Sequence, residues 1–393
     1  MRITDIRTHV CHAAWRNWVF VEVETDTGMV GLGEATIEGR EHTITAHFDD
    51  LRRVVLGRSP MDINGLRRTL TRDPFWVGGY VAGSGLAGLE IACWDIVGKS
   101  LGVPVWQLLG GRLRDRVPVY ANGWYFGAIS VDDWVERAGQ VVELGYRALK
   151  FDPFGRSGLD ITRDEMERAI DTISALRLAL GNRIELLIEG HGRFNVHSAQ
   201  RVAHRLAALD CLFFEEPVPP GSPGVTAQVA GNFAVPIAGG ERCYSVFDAK
   251  QFLDRNAVQV IQPDVIHAGG ILETLAIAQL AAVSHVALAP HNPNGGIATA
   301  ATLMVDAVAP NFLIQEMLAP WDVPWRNEVV RGGPEVVDGY LSIPQAPGLG
   351  VELDLEKIRE HPFEAVDPAL WSADSIMESV NLRPAAFGQE GQL

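Results

Sequence analysis

Ile184-Glu185-Leu186-Leu187-Ile188-Glu189 is a short apolar run closed by an acid, and the same phrase returns along the chain. Leu212-Phe213-Phe214 ends in Glu215, and Ile237-Ala238 leads through two glycines to Glu241. Val258–Ile261 precedes Asp264, Val286–Ala289 precedes His291, and Phe312–Ile314 precedes Glu316. From Glu189 onward these polar residues stand 26, 26, 23, 27 and 25 residues apart. That interval accommodates one strand, one helix and two loops. Two earlier runs, Val117–Ala121 and Ala148–Phe151, the second carrying Lys150, bring the apolar strands to eight. Amphipathic stretches such as Arg163–Leu180 and Val196–Leu209 lie between them. Apolar strands alternating with helices predict a parallel sheet, and eight of them predict closure into a barrel. Strands that end in acids or a histidine gather those groups at one mouth, where they suit metal binding and proton transfer.

Residues 1–112 read differently. Arg2–His9 and Trp18–Glu24 alternate like strands, and Asp26-Thr27-Gly28 fits a hairpin turn. A helix is predicted from Ala87 to Lys99, where Leu89, Ile91, Trp94 and Ile96 contribute to a broad apolar face. Strands first and helices after predict an α+β domain. The barrel then occupies 113–330, and the Pro- and Gly-rich segment 331–393 is expected to pack back on the first domain.

The 393 residues are 47% hydrophobic and 21% charged, enough apolar mass for a packed core and too much for disorder. A net charge of -16 argues against a nucleic-acid partner. It leaves room for an anionic substrate, because a bound divalent cation reverses the field locally. Cys11, Cys93, Cys211 and Cys243 are far apart with no CxxC pair, so they read as buried reduced thiols. No apolar run is read as reaching the roughly 18 residues of a membrane span. The start, MRITDIRTHV, lacks the apolar region of a signal peptide. The default expectation is a cytoplasmic protein with neither a membrane nor a nucleic acid as partner.

Glu189, Glu215 and Glu241 close three successive strands. Neighbouring parallel strands lie ~4.8 Å apart, so the three carboxylates converge on one ion. Oxygen-only ligands favour Mg²⁺ over zinc. Single acids at strand ends also pair with lysines or cap helices. Three in succession repel strongly without a cation, by about 4 kcal/mol for two unit charges at ~4 Å and an effective dielectric of ~20. The metal reading is therefore preferred. His291 follows the seventh strand, with Asp264 on the sixth beside it. An aspartate there orients the ring, fixes its tautomer and raises its basicity, as a general base requires. A core histidine bonded to a backbone carbonyl is the plain alternative.

Together, Ile188-Glu189-Gly190-His191-Gly192-Arg193, Phe214-Glu215-Glu216-Pro217, Gly239-Gly240-Glu241, Gln262-Pro263-Asp264 and Pro290-His291-Asn292 resemble the enolase superfamily. The resemblance is to its mandelate racemase subgroup, and within it to acid-sugar dehydratases of galactonate dehydratase type. Thr25-Asp26-Thr27-Gly28 with Gly31-Leu32-Gly33-Glu34 is similar to that family's N-terminal domain, so the resemblance spans nearly the whole chain. It implies a modified (β/α)7β TIM-type barrel with an N-terminal α+β capping domain. It implies Mg²⁺ on Glu189, Glu215 and Glu241, and His291 with Asp264 as the base for a proton alpha to a carboxylate. Glu316 is then expected opposite the metal, hydrogen-bonding the other carboxylate oxygen, and protonated by the crowd of anions. His191 stands where galactonate dehydratases carry the histidine that protonates a departing β-hydroxyl; its alternative is a supporting bond to a ligand carboxylate. With that acid, elimination of water yields a 2-keto-3-deoxy sugar acid. The implied partner is a small carboxylate substrate, and the implied assembly a homo-oligomer from dimer to octamer.

The pattern departs from its relatives at one place. Racemases of this subgroup carry Lys-x-Lys at the second strand end, where this chain has Lys150-Phe151-Asp152. Losing the second lysine weakens two-base racemisation, although a racemase, epimerase or cycloisomerase stays as the alternative function. Lys150 is a substrate contact, another base, or a partner of Asp152 on the same strand face. Glu216 is expected to point away from the metal on an extended strand, and Arg193 and His267 to serve as loop supports. Substrate contacts are expected from Asp152 and from two capping loops, through Trp15, Arg16 and Trp18 and through Trp76 beside Tyr80. Packing between domains is the other use for those tryptophans.

Overall fold

A computed structural model describes residues 1–231, 234–318 and 320–365. An antiparallel sheet opens the chain, with β1 (Ile3–Ala13), β2 (Arg16–Thr25) and β3 (Val30–Glu34) in that order. Four helices follow, α1 (Glu41–Val55), α2 (Ile63–Thr71), α3 (Gly79–Leu101) and α4 (Val105–Leu108). Helix α3 lies directly on β3. A Cβ at Gly31 would sit 2.1 Å from the Ala92 carbonyl oxygen, and one at Gly33 2.0 Å from that of Gly88. The Gly31-Leu32-Gly33 run is what lets strand and helix backbones touch. Contrary to expectation, α3 is long and apolar enough to cross a membrane by composition, yet 78% of its apolar window is buried inside the protein. It is apolar all round because sheet and barrel cover it on several sides.

The barrel runs through β4 (Arg116–Ala121), α5 (Val131–Glu143), β5 (Ala148–Phe151), α6 (Arg163–Leu180), β6 (Glu185–Glu189) and α7 (Val196–Leu206). It continues through β7 (Phe213–Glu215), α8 (Pro223–Val229), β8 (Ile237–Gly239), α9 (Val246–Leu253) and β9 (Val260–Ile261). Then come α10 (Ile271–Val283), β10 (Ala287–Leu288), α11 (Gly296–Val308) and β11 (Gln315–Met317). Strands β4 to β10 pair in chain order, in parallel, and β11 pairs with β4. A parallel bridge from Leu288 to Phe312 closes the ring, which makes a (β/α)7β barrel. The last strand starts at Gln315, later than its apolar run predicts. Phe312 reaches back to β10 while Gln315–Met317 align with Val119–Ala121, so the run spans the gap between two neighbours.

One apolar side chain from each strand region fills the interior: Tyr120, Ala148, Leu187, Phe213, Ala238, Val260, Ala289 and Ile314. Strand side chains alternate, so the next inward position lies two residues further, at the mouth. Two residues on from this plug stand Asn122, Lys150, Glu189, Glu215, Gln262, His291 and Glu316. At β8 the count falls on Gly240, and Glu241 follows it.

Buried carboxylates of the first domain dock the barrel helices. Glu34 accepts the amides of Gly295 (2.8 Å) and Ala298 (2.9 Å) at the start of α11. Glu90 does the same for Ile271 (2.8 Å) and Leu272 (3.0 Å) at the start of α10. An anion there satisfies orphan donors and the helix dipole together. These contacts fix the β1–β2 turn above the mouth. The returning chain adds a strand, Tyr340–Ser342, antiparallel to β4. His361 and Glu364 then bond to His12 and Asn17 of the first domain. Residues 366–393, assigned by the sequence to that returning segment, lie outside the described residues. All four cysteines are free and buried.

Candidate active site

A cavity of about 530 Å³ opens between the barrel mouth and the first domain. Lys150, Glu189, His191, Glu241 and His291 line it from below, and Trp15, Arg16 and Tyr80 from above. Glu189, Glu215 and Glu241 each place one carboxylate oxygen within 4.8 Å of the others. Two of the three are almost wholly buried. Burial, and then Glu189 beside it, push the Glu215 carboxyl well above the ordinary range. Burial acts the same way on Glu189, but His191 and Lys150 outweigh it and hold that carboxylate low. An all-oxygen donor set with more negative charge than its surroundings neutralise fits a hard divalent cation such as Mg²⁺.

Lys150 settles behind this cluster. Its Nζ lies 2.8 Å from Glu215 Oε1, 3.0 Å from Glu316 Oε1 and 3.2 Å from Glu189 Oε2. Burial disfavours the ammonium, yet Glu215 and Glu316 raise its pKa well above the usual lysine value. The alternative pairing of Lys150 with Asp152 is therefore not adopted, because three carboxylates compete for the same cation. Glu316 changes role with it. Burial would raise its pKa, but Lys150 lowers it, so the expected protonation by crowding is reversed. Its oxygens accept from Asn122 Nδ2 (2.7 Å) and the Asn292 amide (2.8 Å).

Of the three histidines that line the cavity, His191 and His291 are each carried by an aspartate. His291 Nδ1 lies 2.8 Å from Asp264 Oδ2, leaving Nε2 toward Glu241 at 3.7 Å. Asp264 is itself fixed by the Asn294 amide group at 2.8 Å and the Ile266 N–H at 2.9 Å. Burial opposes the His291 charge, but Glu241 and the Asp264 bond raise its pKa to about 10. His191 Nδ1 lies 2.6 Å from Asp152 Oδ2. Burial again opposes charge there, and Glu189 and Asp152 overcome it, raising the pKa. Asp152 also binds Arg193 and accepts the Phe154 amide at 3.0 Å.

The route by which His191 arrives differs from the expected one. The strand stops at Glu189, and His191 sits at φ 49°, in left-handed backbone. Its amide donates to Glu189 Oε1 at 2.7 Å, so a turn, and not strand alternation, aims the ring. Glu216 likewise leaves extended geometry at φ 33°, and its side chain meets Arg242 at 3.0 Å.

Of the expected substrate contacts, Trp15 and Arg16 line the cavity, whereas Asp152 does not and is bonded behind it to His191. Trp18 does not: strand register pairs it with Cys11 and turns it into the core, fully buried under Arg326. Trp76 does not either, since it is 88% exposed and packs edge-on against Phe75. His267, read as a loop support, lines the cavity with Nδ1 2.8 Å from Ser84 Oγ of the first domain. Asn122 and Gln262 were not singled out by the motifs. Gln262 Nε2 donates to Glu215 Oε2 at 2.8 Å. Counting two residues from each plug position finds both.

Residues 4–110 match the mandelate racemase/muconate lactonizing enzyme N-terminal domain, and residues 133–358 match the enolase C-terminal domain-like family. A D-galactonate dehydratase from Xanthomonas euvesicatoria pv. vesicatoria (strain 85-10) is 37% identical, across 96% of this chain and 100% of its own. A mandelate racemase/muconate lactonizing enzyme structure from Jannaschia sp. CCS1 superposes with a TM-score of 0.87 at 32% identity, covering 93% of this chain and 98% of that one. Another from Sulfitobacter sp gives 0.88 at 31% identity, over 93% and 96%. Both halves of the molecule thus carry the family's features in sequence and in shape, and this chain belongs to the mandelate racemase/muconate lactonizing enzyme family of the enolase superfamily.

Proposed function

We propose that this protein is a Mg²⁺-dependent acid-sugar dehydratase, which converts a sugar acid to a 2-keto-3-deoxy acid by loss of water. One observation carries the reading: His191 and His291, each backed by an aspartate, face one cavity that also contains the carboxylate cluster. The D-galactonate dehydratase relatives support the substrate class. Glu189, Glu215 and Glu241 would hold the Mg²⁺, whose Lewis acidity toward the substrate carboxylate acidifies the neighbouring C–H.

The chain's own groups do the rest. With a cation on Glu241 offsetting the charge that raises the His291 pKa, neutral His291 would take the proton from the carbon alpha to the carboxylate through Nε2, with Asp264 holding Nδ1. The electron pair left on that carbon forms the double bond as the β C–O bond breaks. His191 gives its proton to the departing hydroxyl, so water leaves and the remaining enol tautomerises to the ketone. Lys150 places positive charge beside the reacting carboxylate region, and Asn122 and Asn292 fix Glu316 there. General acid–base help of this kind supplies about 10²–10⁴-fold, so cation and cavity electrostatics must supply the larger share. The same reading divides the chain into a cap (1–112), a catalytic barrel (113–330) and a returning segment (331–393).

The test is a panel of hexonates, pentonates and aldarates with the Mg²⁺-loaded protein, read by semicarbazide-reactive keto acid. Keto acid that fails to form with His291→Asn supports the proposal. Exchange of the α-hydrogen for deuterium in D₂O, or ring formation, without loss of water from any member would replace it with an isomerase.

A further inference from the structure

We infer that Arg16 is a carboxylate-reading residue, and that the substrate carries a second acidic group at the end remote from the metal site, as in a dicarboxylic sugar acid. The inference rests on the dehydratase reading for what happens at the first carboxylate. It stands on separate groups for the second.

Arg16 opens β2 just after the turn at Ala14, whose φ of 62° folds the hairpin back over the mouth. The side chain is fully buried, yet it forms part of the cavity wall. Its Nη1 donates to Glu38 Oε1 at 3.1 Å. Its Nε and Nη2 are buried and have no hydrogen-bond partner among the described residues. Those two nitrogens form one edge of the guanidinium, the edge that meets a planar carboxylate with two parallel N–H···O bonds. Buried donors are almost always satisfied, and an unsatisfied pair on a charged group is costly. A carboxylate entering the cavity that Arg16 lines would supply acceptors to that edge.

The surroundings hold the fork still and leave its charge available. Trp15 stacks over the guanidinium, with Cζ 4.7 Å from the ring centroid, and Trp15 itself packs edge-on against Phe126 of the barrel at 5.2 Å. Of the nearby acids, Glu34 holds the Gly295 and Ala298 amides, and Asp322 pairs with Arg326 through Oδ2, its Oδ1 being without a partner among the described residues. Glu38 occupies the opposite edge. At the floor of the cavity, Glu189 and Glu241 would hold the cation that takes the first carboxylate. A ligand with acid groups at both ends matches both poles.

The experiment compares acids that differ only at the far carbon: D-galactonate with galactarate, and D-gluconate with D-glucarate. Binding to the Mg²⁺-loaded protein is measured by calorimetry, and turnover separately by keto-acid release. Wild type is expected to bind at least one diacid about tenfold or more tighter than its matched monoacid. Arg16→Gln should weaken that diacid about ten- to hundredfold while the monoacid changes by less than about threefold. Arg16→Lys, which keeps charge without the fork, should fall between. Glu38→Gln, which removes the competing anion, should strengthen diacid binding and keeps the test alive if Arg16→Gln does not fold. Equal binding of mono- and diacids by wild type overturns the inference. So does an equal loss for both in Arg16→Gln or Arg16→Lys, which is the mark of a structural clamp. If diacid preference holds but no keto acid forms, the dehydratase reading fails and the role of Arg16 survives. Keto acid without diacid preference removes that role and leaves the dehydratase reading standing.

Discussion

Asp152→Asn isolates what a carboxylate behind His191 contributes. The substitution keeps size and leaves Oδ1 for the Phe154 amide, but it replaces a charge-assisted contact of 2.6 Å to His191 Nδ1. Such bonds are worth roughly 1.5–3 kcal/mol. At about 1.36 kcal/mol per decade, elimination should slow by about ten- to 150-fold if the bond holds the acid in its reactive state. An amide N–H facing Nδ1 favours the neutral ring, which is a poor proton donor. Removal of the α-proton, assigned on the proposed reading to His291 on another aspartate, should stay within about threefold. Elimination is read as keto-acid release, and proton removal as loss of the α-hydrogen signal by NMR in D₂O. Arg193→Met serves as a control, because Arg193 shares Asp152 and its release accompanies the substitution. If exchange and elimination fall by one common factor, or neither falls, Asp152 does not act through His191 and the assignment is wrong.

Lys150→Met should destabilise the metal-free protein by about 3–5 kcal/mol, the usual cost of stranding buried ions. Three carboxylates lose their shared cation. Urea unfolding with chelator and with Mg²⁺ should show a smaller loss in Mg²⁺; an unchanged midpoint in chelator contradicts the contacts. Glu215→Gln should remove most of the thermal stabilisation by Mg²⁺, which for wild type at a hundredfold excess over Kd is about 2.7 kcal/mol. A full Mg²⁺ response in that variant would exclude Glu215 as a ligand. Away from the site, His9 Nε2 bonds Glu22 at 2.7 Å and lowers its pKa below the ordinary carboxylate value. A depressed folded pKa gives stability that is present above the unfolded pKa of about 4.3 and lost as pH falls through the folded value. Wild type should therefore exceed Glu22→Gln in denaturant midpoint at pH 6, with the difference closing by about pH 3; a constant difference would place the effect in packing.

The barrel and the placement of most candidate site residues at its mouth were legible because strand period and βα spacing are local properties. Glu189, Glu215, His291 and Glu316 all sit two residues beyond a plug residue, so alternation alone aims them inward. What escaped depends on choices between competing partners. Lys150 was visible on the correct face, but selecting three glutamates over Asp152 is settled by distances across four strands. Asp152 went to a histidine 39 positions later, through a left-handed turn that strand logic does not produce. Trp18 and Arg16 stand two apart on β2 and were grouped together. The core claims the indole, while the guanidinium at the strand's first residue remains at the cavity. Trp76 belongs to a connection between helices, where periodicity carries no information about direction.

The topology gives the two histidines a fixed relation. With β4 through β11 closing the ring in order, β6 and β10 lie four strands apart by either path. His191 and His291, which follow those strands, therefore enter the mouth from opposite sides. On the proposed reading, a substrate held between them offers its α-hydrogen to one side and its β-hydroxyl to the other, which is the requirement of an anti elimination. The same opposition would serve a racemase, whose second base comes from the end of β5, next door to β6. In this chain that position is Asp152, which bonds the His191 ring after β6. Position 152 thus stays within the apparatus of the same face. On the proposed reading, its role passes from moving a proton to holding the group that moves one, and the proton's destination shifts from the α-carbon to the leaving hydroxyl.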